Sequence, residues 1–278
     1  MLLKSYSKVN LTLRVNNKLK KKNLHNIQSY YCLIDLFDEI LIKKINDKKD
    51  KIQFKGKFKK FVKKDNSIIQ TLKLLREKKK ISNFYSVSVN KNIPVFAGLG
   101  GGTSNSFFLM KYLLKGRLSS QFLSYFEKKI GSDLRLFKFK QGFQENLTKL
   151  KNYNKKYSFY LLLVYPNIKC STKMIYSSVR RSKSKLYLNF NKFKKKSEFI
   201  KFLVNQNNDL QGIVEKKHPA VRNLTAKIAD NNGCYYSRMS GSGSVCFGLF
   251  KSKKTAYEAL KKIKLRHPKY WLTVAKTI

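Results

Sequence analysis

The chain has 278 residues, 42% of them hydrophobic, which is enough for one large or two modest folded domains and argues against wholesale disorder. Lysine and arginine number 61 against 15 aspartates and glutamates, a net charge of +46. No apolar run approaches the ~20 residues of a membrane helix, the start of the chain carries no apolar leader, and the four cysteines Cys32, Cys170, Cys234 and Cys246 form no Cys-x-x-Cys pair. A cytoplasmic protein with reduced thiols, no zinc site and no membrane association is therefore expected.

Apolar residues alternate at Val9, Leu11, Leu13 and Val15, which predicts a strand over 8–15. Residues 27–36 predict a second strand, and 40–45 and 52–58 a third and fourth, with Asp47-Lys48-Lys49-Asp50 as the turn between the last two. Asp65 or Ser67 can cap a helix that ends near Lys80. Tyr85, Val87 and Val89 alternate as a strand. After Asn92-Ile93-Pro94 comes a glycine turn, Gly98-Leu99-Gly100-Gly101-Gly102-Thr103-Ser104-Asn105. A helix opening at Thr103 or Ser104 would bury Phe107, Phe108, Met110, Tyr112 and Leu113. Further helices are expected over 121–130, 171–179, 197–204, 219–231 and 255–265, and strands over 159–165, 236–239, 245–250 and 271–275. A second glycine turn, Ser240-Gly241-Ser242-Gly243-Ser244, separates two of those strands. The order is α+β without an internal repeat, and the polar, basic stretch 152–157 is a candidate domain boundary.

The first glycine turn has two readings. Four glycines in five positions permit positive φ, and a helix opening directly afterwards presents N–H groups and a positive dipole end, which suits phosphate. It is also a serviceable tight strand-to-helix turn. No Gly-Lys-Ser/Thr follows, so it is not a Walker A loop. The second turn reads equally as a flexible hairpin. Among the acids, Asp47, Asp50 and Glu127 sit beside lysines in surface-like runs, whereas Asp133 follows a helix and a glycine in Ile130-Gly131-Ser132-Asp133-Leu134. Asp133 can be a cap or a catalytic base, and Asp209 reads as a cap or turn residue. The charge carries little by itself: outside the runs 18–22 and 192–196 the lysines are spread along the chain. Lys, Asn, Ile, Tyr and Phe also share A/T-rich codons. No specific nucleic-acid partner is expected, although a basic nucleic-acid-binding protein is the non-enzyme alternative.

Taken together these pieces resemble the GHMP kinase family. Ser7-Lys8-Val9-Asn10-Leu11 is similar to its first motif, the stretch from Pro94 through Ala97 to Asn105 to its second, and Met239-Ser240-Gly241-Ser242-Gly243-Ser244 to its third. His25-Asn26-Ile27-Gln28-Ser29, Gly131-Ser132-Asp133-Leu134 and Asn208-Asp209-Leu210 resemble the branch whose acceptor is a cytidine-diphosphate-linked methylerythritol. The alternatives within the family act on homoserine or a mevalonate derivative. The resemblance implies a two-domain fold. A ribosomal-protein-S5-domain-2-like α/β domain would cover 1–154 and a ferredoxin-like α+β domain 155–278, with the active site in the cleft between them. It implies ATP as phosphoryl donor, magnesium with unassigned ligands, a small-molecule substrate and a monomer or weak homodimer. Asp133 matches the catalytic base and Lys8 the lysine that polarises the acceptor hydroxyl. Pro94, Ala97, Gly98, Leu99, Gly100, Gly101, Gly102, Thr103 and Ser104 match the ATP loop, and Asn66 lies in a stretch near the adenine. Asn10, His25, Tyr176, Asp133, Gly241 and Ser242 match the substrate side, with His25 on the cytosine edge and Tyr176 stacking on the base. The chain departs from the pattern at Leu24, where an aromatic is usual, at Tyr6-Ser7 in place of Pro-Ala, and at 142–147, where a glycine-rich turn is degraded.

Overall fold

The structure, a computed structural model, describes residues 1–18, 25–153, 156–179 and 193–278. Leu24 and the expected boundary at 154/155 lie outside the described residues. In chain order the first elements are β1 (Leu2–Asn10), β2 (Arg14–Lys18), β3 (His25–Ile45), β4 (Lys51–Lys55), α1 (Ser67–Glu77), β5 (Phe84–Asn90), α2 (Gly101–Leu113) and α3 (Ser120–Ile130). They continue with β6 (Gln141–Gln144), β7 (Leu150–Asn152), β8 (Tyr160–Tyr165), α4 (Thr172–Ser177), α5 (Lys196–Val204), α6 (Gln211–Lys217) and α7 (Pro219–Ala229). The chain closes with β9 (Cys234–Met239), β10 (Cys246–Phe250), α8 (Lys253–Arg266) and β11 (Trp271–Lys276). The expected α+β class is what the structure shows. Two compact units form: Met1–Lys8, Asp35–Val95 and Gly100–Lys138 make the first, and Val9–Ile34, Phe96–Leu99 and Phe139–Ile278 the second.

In the first unit β5 runs antiparallel to the second half of β3, with Ile42 opposite Val87, and β4 runs parallel to β5. Alternation along β5 buries Val87 and Val89. Residues Ile68 and Leu72 of α1 and Leu109 of α2 pack with them and with Ile40 and Ile42. The helix over 67–77 is capped by Asn66, not by Asp65 or Ser67: the Asn66 Oδ1 accepts from the N–H groups of Ile68 and Ile69 at 3.1 and 3.2 Å. Asp65 instead accepts from Gln70. The helix expected from Thr103 opens earlier, at Gly101, because Gly100 takes a left-handed conformation (φ +70°) and starts the turn. It buries Phe107, Leu109 and Met110, while Tyr112 is exposed.

The second unit holds a four-stranded antiparallel sheet in the order β11-β8-β10-β9. β8 is buried from Leu161 to Tyr165, and its Leu162 and Val164 pack with Val221, Leu224 and Ile228 of α7 and Ala256, Ala259 and Ile263 of α8. β2 and β6 pair with the first half of β3, and β7 with β6.

Three expectations need correction. The strand over 8–15 is two strands, because Leu11 and Thr12 both donate to Tyr30 O and Leu13 turns to bridge Asn208. The strands over 27–36 and 40–45 are one, β3, whose polar middle hid its continuity; Asp38 in that middle is fully buried. β6, β7 and α6 were not expected. All four residues of β6 are buried, so it shows no alternation, and Gly142 is required there because a Cβ would lie 2.8 Å from Lys151 O.

Candidate active site

In the first unit, Lys8 stands near the end of β1 and is 3% exposed. Its Nζ lies 3.1 Å from Asp133 Oδ2, and the aspartate is 30% exposed. A buried ammonium beside a half-open carboxylate leaves one carboxylate face to the outside. The Lys8 stem runs under the glycine turn: a Cβ on Gly100 would sit 3.2 Å from Lys8 Cε and 3.1 Å from Phe137 Cζ. Gly100 opens α2, whose first turn holds no acidic residue and no side-chain cap. The positive end of the helix is therefore offered to an anion beside Lys8. Gly101 is packed on Ile93, and a Cβ there would meet its Cγ2 at 3.0 Å. Gly102 is exposed. Thr103 packs toward Gly131, just before Asp133. Pro94 is buried in the segment leading to the turn.

Ser104 is fully buried, and its hydroxyl donates to Tyr6 O at 2.5 Å and meets Ser5 Oγ at 2.7 Å. Its N–H closes on Gly100 O. Ser104 is thus a tie between β1 and α2. Asn66 spends both ends of its amide on local backbone, donating to Lys63 O and Lys64 O while it caps α1. Its helix start adjoins that of α2, where Ser106 Oγ donates to Ser67 O.

Three buried or partly buried ion pairs in this unit escaped the sequence. Lys91 pairs with Asp38, whose other oxygen accepts from Asn92 N and Ile93 N, so the segment entering the glycine turn is pinned to β3. Glu127, expected at the surface, is 10% exposed and forks onto Arg135. Burial pushes its carboxyl above the usual range, against the pull of Arg135. Asp50, also expected at the surface, is 14% exposed, clamps Arg76 and accepts from Tyr85 N. Lysine-rich flanks concealed Asp50 and Glu127, and none of the three partners, being distant in sequence, carries a local signal.

In the second unit, the turn at Ser240–Ser244 is buried and braced (240–244). Asn208 Nδ2 donates to Met239 O and Gly241 O, both at 2.8 Å. Ser240 Oγ donates to Gly98 O and accepts from Asn10 N. A Cβ on Gly98 (φ +77°) would stand 2.1 Å from Ser240 O, and Ala97 O accepts from Val245 N. Leu99 is buried. Ser242 Oγ lies 2.9 Å from Thr172 Oγ1. Asn10 is 2% exposed and its amide donates to Ser29 Oγ. Asp209 accepts from Val15 N on β2, a tie to a strand distant in sequence. His25 and Tyr176 face one another as near-parallel rings, 26° apart in plane and 6.2 Å between centroids, at the wide end of the range for aromatic pairs. His25 Nδ1 is 3.4 Å from Asn16 O. The structure thus gathers Lys8, Asp133, Gly100 and Thr103 in one unit. In the other it gathers Asn10, Gly98 and Gly241 with Ser242, and His25 with Tyr176.

Comparison with known proteins bears on this arrangement. A family model described as GHMP kinases C terminal matches residues 196–269. The fold is shared with a solved 4-(cytidine 5'-diphospho)-2C-methyl-D-erythritol kinase, at a TM-score of 0.74 and 20% identity over 99% of both chains. It is also shared with the homoserine kinase of Cytophaga hutchinsonii, at 0.67 and 15% identity over 100% of this chain and 93% of that one. The fold is that of these kinases, and residues 196–269 match the GHMP kinase C-terminal family. In sequence, the chain is 37% identical to the 4-diphosphocytidyl-2-C-methyl-D-erythritol kinase of Pelagibacter ubique, over 99% of this chain and 98% of that protein. It is 28% identical to the protein of the same name from Clostridium perfringens, over 100% and 98%. The chain belongs to the 4-diphosphocytidyl-2-C-methyl-D-erythritol kinase family.

Proposed function

We propose that the protein transfers the γ-phosphoryl of ATP to the 2-hydroxyl of 4-(cytidine 5'-diphospho)-2-C-methyl-D-erythritol, a step toward isoprenoid precursors in the methylerythritol phosphate pathway. The observation that carries this reading is the Lys8–Asp133 pair, 3.1 Å apart, with the Lys8 stem packed beneath Gly100 at the open end of α2. Asp133 takes the acceptor proton as its oxygen attacks the γ-phosphorus. The bond from that phosphorus to the bridging oxygen breaks, and ADP leaves with the electron pair. Lys8 offsets the negative charge gathered around Asp133 and the attacking oxygen. Phosphoryl transfer asks for little beyond this positioning, charge neutralisation and a base. The first turn of α2, with Gly101, Gly102 and Thr103, cradles the phosphates through backbone N–H groups.

Magnesium is expected with ATP. Among the described residues no group of three His, Cys, Asp or Glu side chains stands together to hold a metal, and the Ser104 hydroxyl is spent on β1. No step is therefore assigned to a protein-held ion. His25 and Tyr176 supply the base-recognising side: a ring to stack on and polar ring nitrogens for the cytosine edge. That pair favours a nucleotide-linked acceptor over homoserine or mevalonate, which have no base to stack. Domains over 1–154 and 155–278, a cytoplasmic location and a monomer or weak homodimer complete the proposal. Among the described residues no helix is long and apolar enough to cross a membrane.

The test is ATP turnover by the purified chain with the cytidine-diphosphate-linked acceptor, homoserine and mevalonate in parallel. Turnover confined to the first is expected. Turnover of either small acceptor in its place would redirect the assignment within the family, and none with any acceptor would reject it.

A further inference from the structure

The loop that carries Asp133 is closed by a clasp with no part in the chemistry itself. α3 ends at Ile130, and Gly131 turns the chain at φ +153°. Ser132 and Asp133 follow, and a 3-10 turn, Leu134–Lys138, begins at the next residue. From that turn Arg135 reaches back onto α3. Its Nε lies 2.5 Å from Glu127 Oε1, and one terminal nitrogen lies 2.6 Å from Glu127 Oε2 and 2.9 Å from Ser124 Oγ. Both side chains of the pair are nearly buried, at 8% and 10% exposed. The same turn places Phe137 against Gly100, beside the Lys8 stem. Asp133 is thus held on a short arc whose far end packs under the glycine turn and whose two sides are joined by a forked ion pair.

Stability alone does not call for such a device. A buried ion pair is often no more stabilising than apolar side chains of similar size, because both charges must be stripped of water. A planar guanidinium forked onto a carboxylate does fix direction and distance, which a lysine or an apolar contact would not. The chain has only 15 acidic residues to set against 61 basic ones, yet it commits one of them to this buried fork.

We propose that Arg135, held by Glu127 and Ser124, is a positioning residue for phosphoryl transfer, keeping the Asp133 carboxylate at its working distance from Lys8. This rests on the assignment of Asp133 as base given above. Displacing a reacting group by about 1 Å can cost on the order of 100-fold in rate, so the effect falls on kcat and leaves nucleotide binding alone.

The experiment compares Arg135→Gln, Arg135→Lys and the neutral pair Glu127→Gln with Arg135→Gln, which leaves no unpaired charge and keeps the test open should the single variant misfold. Each is assayed in the full chain with ATP and the cytidine-diphosphate-linked acceptor, at a temperature where circular dichroism shows it folded. Wild type and Asp133→Asn serve as controls. A fall in kcat of about 10- to 100-fold in both Gln variants is expected, with KM for ATP within about twofold and partial recovery in Arg135→Lys. If wild type is active and Asp133→Asn is not, while the clasp variants lose thermal stability but keep kcat, the positioning role is overturned and the base assignment stands. If Asp133→Asn stays active, both fall.

Discussion

The two glycine turns look alike in the sequence and are built for opposite ends. Gly100 opens a helix whose first turn has no acid and no side-chain cap, over a lysine stem and beside a carboxylate. The turn at 240–244 is closed: its carbonyls take hydrogen bonds from Asn208, its serines are bonded to Thr172, Asn10 and Gly98, and its residues are buried. Glycine serves the first by leaving backbone N–H groups facing outward. Gly98, at the start of that same turn, serves packing instead, since it lets the backbone touch Ser240 O of the second. A glycine-rich string therefore names a backbone requirement, and its surroundings decide whether that requirement is binding or packing.

This contrast can be broken by substitution. Gly98→Ala should be the most damaging to stability, since a Cβ would meet Ser240 O at 2.1 Å and φ is positive. A loss of about 4 kcal/mol is expected, read from the urea midpoint; a loss under about 1 kcal/mol would mean that the contact is not tight. Asn208→Ala should cost about 2 kcal/mol, because the carbonyls of Met239 and Gly241 lose a buried donor. An unchanged midpoint would remove Asn208 as the brace.

Tyr176→Ala acts on recognition instead. Stacking of a base on an aromatic ring is worth ~1–3 kcal/mol, so KM for the cytidine-linked acceptor should rise about 5- to 150-fold with kcat little changed. An unaltered KM would take the base away from His25 and Tyr176. The smallest effect is expected at His267. Its ring stacks on Tyr270 and meets Lys227 Nζ at 3.1 Å. Burial, then Lys227 and Arg266, hold its pKa below the ordinary 6.5. The folded state thus disfavours the proton. The stabilising contribution is complete above 6.5 and is lost as pH falls through the lowered folded value. His267→Phe should flatten that small acid-side slope in thermal stability, and a slope unchanged by the substitution would place its origin elsewhere.

Much of the fold was legible because it is written in local periods. α1, α3, α7, α8, β5, β8 and β10 follow from apolar spacing and apolar runs. What was hidden depends on partners far away in the chain. Asp38 in mid-β3 reads as a break until Lys91 is seen beside it. Glu127 and Asp50 read as surface charges until Arg135 and Arg76 arrive. β6 is buried on both faces and so lacks the alternation that marks a half-exposed strand. At the site, Lys8 and Asp133 were legible as motif positions, and the structure adds their 3.1 Å contact. Ser104 was expected in the ATP loop and Asn66 near the adenine. Their side chains proved to be committed to β1 and to the start of α1, because a short polar side chain at a helix start finds backbone partners first.

The most direct test of the account is Asp133→Asn in the full chain, with turnover of the cytidine-diphosphate-linked acceptor measured beside binding of ATP. The asparagine keeps size and shape and removes the proton acceptor. Turnover should fall by about 10²- to 10⁴-fold, with the dissociation constant for ATP unchanged within about twofold. Turnover close to that of the unaltered protein would contradict the assignment of Asp133 as the base and, with it, the reading of the Lys8–Asp133 pair as the site of phosphoryl transfer.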